Sequence, residues 1–202
     1  MHVLVTAGPT REYLDDVRFF SNPSTGAMGF ACAAAAAAAG HKVTLVTGPS
    51  TLPDPRTVNV VRVVTALEMR AAAMKAFAAA DAVIATAAVT DYRPARRVKG
   101  KIKKGPARMA VPLVRTPDIL AEMGRRKGNR TLIGFALETK DEIANALGKL
   151  AAKRLDHVVL DSPAAFGADR IDATVIHADG SSESFRRISK KDLAKLLVGL
   201  LS

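Results

Sequence analysis

This sequence predicts an α/β fold built on a doubly wound, mostly parallel sheet, and three observations support it. Apolar, strand-like runs alternate with helical patterns along the chain, the order that builds strand–helix–strand units. Several runs are apolar at consecutive positions, as strands covered on both faces must be. The 202 residues, 49% of them apolar, suffice for one domain over 1–202 with a sizeable core.

The elements follow in order. "HVLVTAG" (2–8) reads as a buried strand. After a long connection, Gly26 to Ala39 reads as an alanine-rich helix closed by Gly40. "KVTLVTG" (42–48) and "VNVVRVV" (58–64) are the next strands. Thr65 and Glu68 form a capping box for a helix running to about Ala80. "DAVIATAAV" (81–89) is expected as a central strand, followed by an irregular basic segment. A short helix begins near Pro117, a residue suited to a first helical turn. "TLIGFALE" (131–138) and "HVVLD" (157–161) are strands on either side of a helix from about Asp141 to Arg154. "ATVIHAD" (173–179) and "SESFRRI" (182–188) flank a Gly-Ser turn and read as an antiparallel edge hairpin. Ser189 caps a final helix.

Composition narrows the class. The one cysteine, Cys32, cannot form an internal disulfide, which fits a reducing compartment. The opening residues lack the basic start of a secretory leader, and no run reaches the roughly 18 to 20 apolar residues of a membrane span. A cytoplasmic protein without a membrane partner is expected. The net charge of +11 calls for polyanionic partners. It is concentrated: Arg93 to Arg115 holds nine Lys or Arg residues and no acid. Glycines and prolines there argue against a helix, so a mobile flap over about 93–115, closing on a triphosphate, is expected. Only Tyr92 could stack on bases beside it, so no nucleic-acid partner is expected.

Ligands of such sheets sit beyond the carboxyl ends of the strands. There "TAGPTRE" (6–12) supplies Gly8 for close backbone approach, the Thr10 hydroxyl and the Arg11 fork. It lacks the G-x-G-x-x-G of dinucleotide enzymes, and the second strand ends without the acid that holds a ribose. "SNPSTGAMG" (21–29) places Asn22, Ser24, Thr25 and Gly26 at a helix entry, more polar groups than one cap requires, and suits an anion cradle. Lys149 and Lys153 share one helix face. The four histidines show no metal spacing.

Together these pieces resemble the phosphopantothenate–cysteine ligases (phosphopantothenoylcysteine synthetases) of coenzyme A biosynthesis. The marks are "TAGPTRE", "VRFFSNPSTGAMGF", "TAAVTDYRP", "KIKK", "TPDIL" and "GFALET", in the family's order and across nearly the whole chain. "KIKK" resembles the bacterial, CTP-using branch. The resemblance implies an acyl-cytidylate made from CTP and 4′-phosphopantothenate, then captured by cysteine, with Mg²⁺ accompanying the triphosphate. It gives Asn22 the acyl phosphate and the second half-reaction, and Lys101 the activated phosphate. Asp91 and the backbone at Ala87 would line the nucleotide pocket, completed by Thr116, Pro117, Asp118, Ile119, Phe135, Lys149 and Lys153. A homodimer is implied. The chain begins directly at the first strand, which suggests a free-standing synthetase or an excised domain without the flavin-dependent decarboxylase of the common bacterial form.

Four positions depart from the family's pattern: Ala27, Thr90, Thr116 and Asp161. They bear on nucleotide choice. The alternatives are a basic nucleic-acid-binding module and a degenerate dinucleotide-dependent oxidoreductase.

Overall fold

The computed structural model describes residues 1–105, 107–137, 142–161 and 167–201. Six strands of one sheet run parallel: β1 (His2–Ala7), β4 (Lys42–Thr47), β5 (Asn59–Arg62), β6 (Ala82–Ala85), β9 (Thr131–Leu137) and β10 (His157–Asp161). An antiparallel hairpin, β11 (Arg170–His177) and β12 (Ser182–Ser189), extends one edge. The order is β5-β4-β1-β6-β9-β10-β11-β12. From β1 the chain winds outward to β5, then returns to β1's other side as β6. That reversal places a crevice beyond the carboxyl ends of β1 and β6.

Helices cover both faces. On one, α1 (Ala27–Ala38) and α5 (Lys190–Gly199) pack with Val3, Val5, Val43 and Leu45. Alanine at most α1 positions lets it lie close to the sheet and to α5, with Cys32, Ala33 and Ala36 fully buried. On the other, α2 (Ala66–Phe77), α3 (Ile119–Arg125) and α4 (Glu142–Ala152) pack on Leu4, Val46, Val83 and Leu132. Among the described residues no helix is long and apolar enough to cross a membrane.

The caps hold as expected at Thr65–Glu68 and at Ser189, whose hydroxyl accepts the Asp192 amide. Glu12 adds a carboxylate at the start of α2, accepting the Ala66 amide at 2.7 Å. Three expectations need correction. The run 81–89 leaves the sheet after Ala85, where Thr86 to Val89 turn into the crevice and Ala88 pairs with Pro9 alone. Pro117 is not in the first turn of α3, because Asp118 is the cap and accepts the Ala121 amide. The helix expected to reach Ala80 ends at Phe77. Glu138 and Asp141, expected to end one strand and begin the next helix, lie outside the described residues.

Two hairpins were not expected. β2 (Arg11–Tyr13) pairs with β3 (Phe19–Ser21), and β7 (Tyr92–Pro94) with β8 (Leu113–Arg115). They pack on each other, apart from the main sheet, and leave Phe19, Phe20, Tyr92, Leu113 and Val114 exposed.

Candidate active site

The crevice holds two adjoining hollows that share Ala87, Ala88, Phe135 and Leu137. The larger, about 410 Å³, falls in the range of small-molecule sites. It brings together Asn22, Asp91, Thr116 to Ile119, Lys149 and Lys153 with Ala87 and Phe135. The smaller, about 150 Å³, is lined by Ser24, Thr25 and Gly26 at the start of α1, and by Asp161 and Lys190 across from them.

The α1 entry is built without a side-chain cap. Gly26 sits at the N-cap with φ 86°, a left-handed conformation that glycine adopts without strain, and packs against Gly8. The Ser24 hydroxyl accepts the Gly26 amide, and the Thr25 hydroxyl accepts the Ala27 amide, each at 3.3 Å. Thus the two hydroxyls shape the turn, and the dipole end of α1 faces the small hollow, a favourable place for an anion. Gly29 serves packing rather than ligand approach: a Cβ there would collide with Ala7 and Thr86 on the sheet.

Asn22 is held by the residues that follow β6. Its Nδ2 donates to the Ala88 carbonyl at 3.1 Å and to that of Val89 at 3.3 Å. Both donors are directed to backbone, so what the amide offers a ligand is its acceptor oxygen, Oδ1. Opposite, Lys153 pairs with Asp118 at 2.9 Å. Burial works to raise the Asp118 carboxyl, but the Ala121 amide and the Lys153 ammonium outweigh it and hold it below the usual carboxylate range. The lysine face of α4 is thereby tied to the loop that begins α3. Lys190, at the first residue of α5, is pushed below the ordinary lysine range by burial, against the pull of Asp161 and Asp169.

The remaining expected residues stand elsewhere. Gly8 lies beneath Gly26, outside both hollows. Thr10 is fully buried; its hydroxyl accepts the Thr90 amide at 3.1 Å and meets the Thr90 hydroxyl at 3.2 Å. Arg11 stacks over the Phe19 ring, 4.7 Å from its centroid. Lys101 is exposed and lines neither hollow. Two of the departures from the family's pattern support each other: the Thr116 hydroxyl donates to the Thr90 carbonyl, and Thr90 in turn is bonded to Thr10. These hydroxyls knit the ends of three loops behind the cleft wall.

Sequence reasoning missed Lys190, Thr86, Met28 and Leu137 as lining residues. Nothing local marks them, except that Lys190 follows a recognisable cap.

Similarity to known proteins bears on this cleft. A family model described as DNA/pantothenate metabolism flavoprotein C-terminal domain matches residues 1–202. A prokaryotic protein named cysteine/cysteine sulfinic acid decarboxylase is 46% identical over 95% of this chain and 55% of its own. The coenzyme A biosynthesis bifunctional protein CoaBC of Bacillus subtilis (strain 168) is 43% identical, over 96% of this chain and 49% of its own. The chain thus spans about half the length of these curated relatives. The solved C-terminal domain of a coenzyme A biosynthesis bifunctional protein CoaBC is 36% identical, covering 98% of this chain and 92% of that one, with a TM-score of 0.85.

Proposed function

The chain belongs to the family of DNA/pantothenate metabolism flavoprotein C-terminal domains, and from that premise we propose that it is a ligase joining 4′-phosphopantothenate to cysteine at the expense of CTP. The carboxylate of phosphopantothenate attacks the α-phosphate of CTP, pyrophosphate leaves, and an acyl-cytidylate forms. The amine of cysteine then attacks the acyl carbon and CMP departs. One observation carries the reading: Asn22, the α1 entry, the Thr116–Ile119 loop and Lys149 and Lys153 converge on one cleft. Those are groups for holding phosphate and orienting an acyl group, and the reaction needs positioning and charge neutralisation more than a protein nucleophile.

The names of the two curated relatives differ, decarboxylation in one and coenzyme A biosynthesis in the other. Amide, hydroxyl and ammonium groups around the cleft support ligation here. The geometry of Asn22 refines its role: with Nδ2 directed to Ala88 and Val89, Oδ1 would accept a proton of the incoming cysteine amine and orient it toward the acyl carbon. Among the described residues no group of three or more His, Cys, Asp or Glu could hold a metal. Mg²⁺ would come on the triphosphate, with its oxygens and water as most of its ligands, and of the two exposed carboxylates of the larger hollow Asp91 is suited to reach it, because Asp118 is paired with Lys153.

The basic flap would close over the triphosphate around Lys101, which is held at the activated phosphate. Its guanidinium at Arg97 is already neutralised by Asp16 and stacked on Tyr13, which supports a nucleotide-closing role over a nucleic-acid one. The homodimer would use the two off-sheet hairpins, which leave the apolar side chains of Phe20, Leu113 and Val114 exposed. Sedimentation of wild type against Phe20→Asp tests this, with a monomeric wild type as the outcome against it.

The central test is pyrophosphate release, expected only when CTP and 4′-phosphopantothenate are both present. Thermal shifts with CTP, ATP, NADPH and a short oligonucleotide run alongside, since ligands that bind the folded state stabilise it by mass action. Stabilisation by NADPH alone would overturn the reading. An ATP preference in kcat/KM would place the chain outside the CTP-using branch.

A further inference from the structure

The turn between β2 and β3 reaches across to the basic segment and grips it on both sides of Lys101. Asp15 is fully buried, and its two oxygens are shared out. Oδ1 accepts the Val17 and Arg18 amides at 2.8 and 2.7 Å, while Oδ2 accepts the Ile102 amide at 3.0 Å and pairs with Arg18 at 3.4 Å. Burial works to raise this carboxyl, and the Ile102, Arg18 and Val17 amides with the Arg18 charge bring it below the ordinary range. Asp16, about half exposed, accepts the Gly100 amide at 2.7 Å and the Arg97 guanidinium at 2.9 Å. Its own amide donates to the Gly100 carbonyl, the Val98 amide donates to the Leu14 carbonyl, and the Arg18 guanidinium to the Ile102 carbonyl.

The residues immediately before and after Lys101 are therefore bonded to two neighbouring carboxylates more than eighty positions away in sequence. By contrast, among the described residues from Lys103 to Val111 no hydrogen bond or ion pair ties the chain to the body. Lys101 sits on the anchored stem of the segment, between the ties at Gly100 and Ile102.

We infer that Asp15 and Asp16 are positioning residues for the reaction: they fix the backbone that carries Lys101, so its ammonium reaches the activated phosphate without an ordering cost at each turnover. This rests on the role given above to Lys101. Misplacing a reacting group by about 1 Å can cost on the order of 10²-fold. An Asn keeps the shape but turns one accepting oxygen into a donor, which faces a backbone amide proton at position 15 and either the Gly100 amide or the Arg97 guanidinium at position 16.

The experiment uses the whole chain with Asp15→Asn, Asp16→Asn, Asp16→Glu and Lys101→Gln. Backbone amide exchange reads the clasp directly. Ile102 is expected to exchange at least about tenfold faster in Asp15→Asn, and Gly100 likewise in Asp16→Asn, as local opening becomes easier. Pyrophosphate release at saturating CTP is expected to fall at least about tenfold in both, with the Kd for CTP unchanged and Asp16→Glu recovering part of the rate. Combined with Lys101→Gln, Asp16→Asn should add little, because the two act as a unit. Wild-type release in Asp15→Asn and Asp16→Asn beside a crippled Lys101→Gln would overturn the positioning role alone. Wild-type release in Lys101→Gln would overturn the role of Lys101 itself and, with it, this inference. Should Asp15→Asn fail to fold, the half-exposed Asp16 carries the same decision.

Discussion

The two ends of the central sheet treat polar groups in opposite ways. At the amino end they are satisfied by one another. His2 bonds Thr44 and the Ala79 carbonyl, Lys127 pairs with Asp156 at 2.6 Å, and His157 meets His177 nitrogen to nitrogen at 2.7 Å. At the carboxyl end the same kinds of group are braced from behind and surround open space. Asn22 is clamped by two carbonyls, Lys153 is tethered to Asp118, and the Thr10–Thr90–Thr116 hydroxyls brace the wall. Polar groups bonded to each other contribute stability, even where Asp156, His157 and His177 border a shallow hollow of their own, whereas groups braced around the crevice are preorganised for something that arrives. The comparison predicts that changes at the carboxyl end alter turnover and changes at the amino end alter stability.

The largest effect should come from Lys101→Gln, with pyrophosphate release slowed on the order of 10²–10³-fold, the cost of losing one electrostatic donor at developing charge. The melting temperature should hardly move, because the side chain is exposed. Lys99→Ala, two positions away, serves as the control and should cost much less. Next comes Asn22→Asp, which places a carboxylate against the Ala88 and Val89 carbonyls and breaks the clamp. Product formation should fall on the order of 10²-fold while CTP still binds, so that the acyl-cytidylate accumulates in rapid-quench analysis. Normal turnover would reduce Asn22 to a loop-shaping residue.

Gly29→Ala tests where the contrast gives way. It lies at the carboxyl end, yet its missing side chain is packing space against Ala7 and Thr86. Overpacking of this kind typically costs about 1–3 kcal/mol, so chemical denaturation should show a lower midpoint. An unchanged midpoint would mean that α1 can shift without penalty.

The smallest effect belongs to the amino end. Burial, then the neighbouring His177, pushes His157 below the usual histidine range, with Lys127 adding to the shift and Asp156 and Asp179 opposing it. A group with a depressed folded-state pKa binds its proton more readily when unfolded. The native state therefore loses stability as pH falls below the ordinary histidine value of about 6.5. A melting-temperature series from about pH 7.5 to 5 should slope downward in wild type and be flatter in His157→Gln, with turnover at neutral pH retained in both. Equal slopes would remove the pair from the stability account.

How much of this was legible beforehand depends on range. The succession of strands along the chain followed from apolar runs, and the Thr65–Glu68 and Ser189 caps from spacing, because those signals lie within a few residues. The run 81–89 was read too long because apolarity alone does not reveal where a chain leaves its sheet. Val89 remains apolar while its carbonyl serves Asn22. The two small hairpins escaped notice because each of their strands is three residues long, and two of them, β3 and β8, are exposed throughout. Motifs located the cleft. They could not show that Thr10 is a brace, that Lys153 answers to Asp118, or that the "DD" of 15–16 belongs with a basic segment far along the chain. Such pairings exist only after folding.

The buried sulfur in α1 has a consequence of its own. Cys32 has no exposed surface, and burial pushes its thiol up to about 12, so it is protonated at any physiological pH. Thiolates, not thiols, exchange with disulfides and react with alkylating agents. If cysteine is the substrate, as proposed, a reactive thiol here would be open to mixed disulfides with it. With its single thiol sealed against the sheet, this chain should remain unmodified by cystine and silent to maleimide until it unfolds, which makes labelling of Cys32 a reporter of global opening.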